Sequence, residues 1–89
     1  MKINENFVLR ELAGTWVVLP LADKTVNFNG MMTLNETGVL LWRALEKGAD
    51  VDALVALFLG EYDVSEQQAR ADVVEFVSKL RTVGCLLDQ

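Results

Sequence analysis

Few side chains in this chain could do covalent or acid–base chemistry, and those few are poorly spaced for it. Glu61 and Asp63 flank Tyr62 and offer a carboxylate pair of the kind a small enzyme would use as acid and base. Two acids at i, i+2 define no cleft, and at a helix exit such residues are ordinarily solvated turn positions. The chain has no histidine, which removes the commonest general base near neutral pH and the commonest metal ligand. Cys85 is the only cysteine, so neither an internal disulfide nor a cysteine-based zinc site can close. Between Gly84 and Leu86-Leu87 it reads as a buried, inert thiol. The residue inventory therefore points away from catalysis, bound metal or a cofactor, and toward recognition.

Recognition chemistry is concentrated on one flank of the last helical segment. At about 100° per residue, Ala69, Val73, Phe76, Val77, Leu80 and Val83 share one arc and form a core stripe. Asp72, Glu75 and Lys79 lie to one side of it as an ordinary solvated face, with Glu75 and Lys79 spaced for a weak ion pair. On the other side Val74 adjoins Val77, bracketed by Arg70 and Arg81 at spacings of four and seven. An apolar strip with two guanidinium groups suits the wall of a peptide-binding groove. The alternative is that Val74 widens the core while both arginines extend to water. In the groove reading, Arg70 and Arg81 would pair with acidic residues of a partner, in contacts that act on association rate and weaken with salt.

The elements that would position these residues follow from local signals. Phe7 to Leu12 and Thr15 to Pro20 are rich in strand formers and joined at Ala13-Gly14, which suits a tight antiparallel hairpin. Val26 and Phe28 alternate with Asn27 and Asn29, and Asn29-Gly30 precedes the strand Met31 to Leu34. This stretch is either a second hairpin or one bulged strand. Asn35 caps a first helix from Glu36 to about Glu46, stopped by Lys47-Gly48. Asp50 or Asp52 caps a second, deeply buried helix through Leu59. Ser65-Glu66-Gln67-Gln68 has capping-box spacing and opens the longest helix, which ends at Gly84 before a short apolar strand or tail, Cys85-Leu86-Leu87. The expected fold is α+β and winged helix-turn-helix-like: an N-terminal three-stranded antiparallel sheet, then three helices.

The 89 residues fit a single domain, 1–89. The apolar runs Trp16 to Ala22 and Val51 to Leu59 fall well short of the roughly 20 residues a membrane span needs, so no membrane partner is expected. Met1 to Asn6 lacks the basic start and long apolar core of a secretory signal, which implies a cytoplasmic location. Thirteen acidic residues against eight basic ones give a net charge of −5, which repels phosphate backbones. A winged-helix DNA-binding regulator is the competing function on topology. However, the second helix is apolar and the third carries Glu66, Asp72 and Glu75, so no nucleic-acid partner is expected.

The segment Leu34-Asn35-Glu36-Thr37-Gly38, with the Phe7-Val8-Leu9-Arg10 strand, the Asp52-Ala53-Leu54 helix, Tyr62 and the closing Val73 to Leu87 helix and tail, resembles the PqqD-like family. These are small domains that recognise leader peptides of ribosomally made natural products. The resemblance implies a peptide-binding adaptor that holds a precursor peptide and presents it to a modifying enzyme, often a radical SAM maturase. It also implies that the leader adds as a strand to the third strand of the sheet and lies between that strand and the last helix. That places the peptide against Met31, Met32, Thr33 and Leu34 and the side bearing Arg70, Val74, Val77, Ser78 and Arg81. The resemblance thus favours the groove reading of the arginine flank. Met31 and Met32 are adaptable side chains, although methionine in a strand is more often plain core. An edge strand offers its free backbone groups to any extended segment, so the same edge could also pair with a second copy of the chain.

Overall fold

The hairpin forms where the sequence puts it. In a computed structural model that describes residues 1–21 and 32–87, β2 (Phe7–Leu12) and β3 (Thr15–Pro20) pair antiparallel from Phe7↔Pro20 to Leu12↔Thr15. Ala13 and Gly14 have φ of 51° and 83°, the two positive values that make a two-residue turn follow the twist of its strands. A third strand, β4 (Met32–Leu34), pairs antiparallel with β3, giving the order β2-β3-β4. Residues 22–31 lie outside the described residues, and with them the choice between a hairpin and a bulged strand before β4.

Three helices follow: α1 (Glu36–Lys47), α2 (Val51–Glu61) and α3 (Glu66–Thr82). Each starts at a capped residue. Asn35 Oδ1 accepts from the Gly38 N–H at 2.9 Å, Asp50 Oδ1 from Ala53 at 2.8 Å and Ser65 Oγ from Gln68 at 3.1 Å. Asp50 rather than Asp52 is therefore the cap of α2, and α2 runs two residues past Leu59. Only half of the capping box forms at Ser65, because the Gln68 side chain turns forward and donates to Asp72 Oδ1 at 2.9 Å. Gly48, at φ 99°, ends α1, and Gly84, at φ 83°, turns the chain out of α3.

The chain after α3 forms β5 (Leu86–Leu87), which pairs antiparallel with a two-residue strand at the start of the chain, β1 (Lys2–Ile3). Asn4 locks this closure: its N–H donates to the Cys85 carbonyl at 2.8 Å and its side-chain amide to the Gly84 carbonyl at 3.1 Å. The N-terminal strand was not apparent in the sequence. The core lies between the sheet and the helices, where Val18, Leu41, Trp42, Leu45, Leu54, Val73, Leu80 and Cys85 are buried to 1 % exposure or less. On α3, Ala69, Val73, Val77 and Leu80 are the buried stripe, whereas Phe76 and Val83 sit at its margin, partly exposed. The result is the α+β arrangement of a three-stranded antiparallel sheet followed by three helices.

Candidate functional site

One groove, of about 850 Å³, runs between β4, the start of α1 and one flank of α3. Its construction starts with the register of the sheet. In a two-residue hairpin the residues flanking the turn, here Leu12 and Thr15, form a hydrogen-bonded pair, and such pairs alternate along the ladder. Val17 thus turns its backbone groups toward β2, and Trp16 and Val18 turn theirs toward β4. The partners of Trp16 and Val18 are Leu34 and Met32, so these two residues spend their N–H and C=O groups on β3. Thr33, between them, directs its backbone N–H and C=O away from β3. Among the described residues β4 pairs with β3 alone, so the Thr33 groups lie on an open strand edge.

The junction of β4 and α1 is held close by a glycine. A Cβ at Gly38 would stand 3.2 Å from Leu34 Cβ, 3.3 Å from Leu34 Cδ2 and 3.4 Å from Asn35 Oδ1. Glycine here lets the first turn of α1 sit against the strand it follows while donating its N–H to the Asn35 cap. Leu34, Leu41 and Phe58, all buried, and the half-buried Phe76 give the groove apolar surface. Phe58 is itself braced by Tyr62, with ring centroids 5.0 Å apart.

The α3 wall carries Asp72, Glu75, Phe76, Ser78, Lys79, Thr82 and Val83. Lys79 Nζ lies 3.5 Å from Glu75 Oε1, the ion pair expected from their spacing. The flank read from sequence as a solvated face is therefore the one turned toward β4.

The residues expected at the site fall into separate places. Met32, Thr33, Leu34 and Ser78 line the groove. Val77 is 2 % exposed and belongs to the core. Arg70 faces α2, its Nη2 2.9 Å from Asp52 Oδ1 and 3.7 Å from Glu66 Oε2. Arg81 Nη2 reaches Met1 Sδ at 3.2 Å, and Val74 is 47 % exposed on the same outer flank. Met31 lies outside the described residues. A helical wheel marks a core stripe with two flanks but does not say which flank meets the sheet; only the tertiary packing decides that. The usable signal was Phe76 and Val83, two large apolar side chains on the margin next to Asp72, Glu75 and Lys79, which widen the apolar surface on that side.

Glu61 and Asp63 are exposed and line none of the groove. Among the described residues no group of acids or cysteine is arranged to hold a metal ion. Cys85 is buried in the core, and that burial pushes its thiol up to about 11. Among the described residues, no helix is long and apolar enough to cross a membrane.

A small α+β domain with an open strand edge beside a partly apolar groove has the two features that strand addition uses. The chain belongs to the family of coenzyme PQQ synthesis protein D (PqqD), whose model matches residues 15–86. Two solved structures share its fold. One is TbiB1, solved in complex with the TbiA(beta) leader peptide, with a TM-score of 0.80 and 24 % identity over 100 % of this chain and 98 % of that one. The other is lasso peptide synthetase B1, complexed with the leader peptide, with a TM-score of 0.77 and 20 % identity over 98 % and 96 %. No curated protein matches the chain.

Proposed function

We propose that this protein binds the leader of a ribosomally made precursor peptide and presents it to a modifying enzyme, itself catalysing nothing and needing no cofactor. Residues 1–89 act as one recognition domain in the cytoplasm. The leader adds as a strand to the open edge of β4 and lies over Met32, Thr33, Leu34, Phe76 and Ser78. Its modifying enzyme is a radical SAM maturase or another peptide-modifying enzyme. Membership of the PqqD family supports the reading, and so does the likeness in fold to two proteins solved with leader peptides.

The observation that carries it is the position of Thr33: its outward N–H and C=O adjoin the groove, so backbone pairing gives affinity and the neighbouring surface gives selectivity. The same edge would serve self-association when no peptide is bound. A nucleic-acid surface has no comparable support, because Arg70 is tied to Asp52 and Glu66, and the chain carries a net charge of −5.

The test is Thr33→Pro. Proline is tolerated on an edge strand where the lost N–H faces outward, so the fold should survive. Losing one backbone hydrogen bond of about 1 kcal/mol, together with the intruding ring, should weaken binding of the leader encoded beside this chain by roughly tenfold or more. Unchanged affinity in calorimetry, with an unchanged circular dichroism spectrum, would remove strand addition at β4.

A further inference from the structure

The charges around the groove go further than its shape. Among the described residues three charged side chains line it: Asp72, Glu75 and Lys79. Lys79 and Glu75 stand 3.5 Å apart and offset each other. Asp72 has no such offset, since among the described residues no cation lies within ion-pair distance. Among the described residues its one side-chain hydrogen bond is from the neutral Gln68 amide, at 2.9 Å. The residue as a whole is half-buried, but the hydrogen bond at its carboxylate is exposed, so a cation beside it pairs in contact with water and is weakened by salt. The chain as a whole carries −5, which draws in cationic peptides and repels acidic ones.

We propose that the groove is selective for a basic extended peptide. Its lysine or arginine stands against Asp72, while an apolar residue of the same strand face rests on Leu34 and Phe76. This rests on the strand-addition reading above and names the chemistry of the occupant. Alternate residues of an added strand point to one side, so the apolar and basic residues are separated by an even number of positions. Such a ligand reverses the polarity expected from sequence, in which arginines of the protein met acids of the leader. In the structure Arg70 and Arg81 lie on the other flank of α3, in contact with Asp52 and Met1, and the groove presents a carboxylate.

The experiment selects peptides from a random phage-displayed library on the purified full chain. The strongest binders are then resynthesised with lysine, glutamine or glutamate at the basic position. Fluorescence anisotropy of each is measured on the unsubstituted protein, on Asp72→Asn and on Thr33→Pro. The expected result is enrichment of lysine or arginine at even spacing from an apolar residue. The lysine peptide should bind roughly fivefold tighter than its glutamine form, a preference lost in Asp72→Asn and reduced by salt. Binding that Thr33→Pro abolishes but that shows no basic preference, or a preference that survives in Asp72→Asn, overturns the charge selectivity and leaves strand addition standing. Selected peptides that bind Thr33→Pro as well as the unsubstituted chain, or no selected peptide at all, overturn both.

Discussion

Two glycines in helices make opposite predictions when replaced by alanine, and the difference measures how tightly β4 is held to α1. Gly60 lies in α2, and a Cβ built on it meets nothing within 4 Å. Gly60→Ala should therefore stabilise the fold by about 0.5–1 kcal/mol, from reduced backbone entropy in the unfolded chain and better helix propensity. Gly38 lies in the first turn of α1, where the same gain is available in principle. There, however, the new Cβ stands 3.2 Å from Leu34 Cβ. That atom is fixed by the backbone of a paired strand, so it cannot rotate away as Cδ2 can. Leu34 is only 9 % exposed, and pushing it moves a packed side chain at a cost typical of mild overpacking, about 1 kcal/mol or more. The two variants should thus differ by roughly 1–2 kcal/mol. At about 4–8 °C per kcal/mol for a domain of this size, Gly60→Ala should melt at least several degrees above Gly38→Ala. Calorimetric melting curves of both proteins supply the comparison. If Gly38→Ala gains as much as Gly60→Ala, then Leu34 yields freely and the close approach does not set the position of the groove wall.

Arg70→Ala should cost less than about 1 kcal/mol in urea denaturation, since its partners Asp52 and Glu66 are 82 % and 71 % exposed. It should leave leader affinity unchanged, because Arg70 faces α2; a tenfold loss in calorimetry would return that flank to the binding surface. Cys85 should resist alkylation at neutral pH until the chain unfolds, which thiol-labelling rates at increasing urea would show. Its folded thiol sits at about 11 against an ordinary 9.0, so the folded state holds the proton more tightly. The stabilising contribution is full below pH 9, declines as the unfolded thiolate forms, and is lost as pH rises through the folded value. A stability profile flat between pH 9 and 11 would refute this.

What could be read in advance was what short-range chemistry decides. Asn35, Asp50 and Ser65 cap helices because their side chains reach N–H groups three residues on, and Ala13-Gly14 turns the hairpin through two positive φ angles. Strand β1 leaves no mark in the sequence because Lys2 and Ile3 carry no strand pattern of their own. They are extended only because Leu87 and Leu86 lie opposite them at the far end of the chain. The same limit explains the groove. The spacing of Val73, Val77 and Leu80 fixes an inward face of α3, but its two flanks are alternatives of equal standing until the helix is seated against the sheet. Arg70 pairs with Asp52 at 2.9 Å, Arg81 reaches Met1, and Val74 between them stays 47 % exposed, so that flank lies away from β4, while Asp72, Phe76 and Lys79 line the groove with Met32, Thr33 and Leu34. A candidate groove between a strand edge and a helix thus takes its charge from whichever flank the packing leaves facing the strand. That is why the family resemblance could indicate strand and helix while the sign of the charge beside them came from the three-dimensional arrangement.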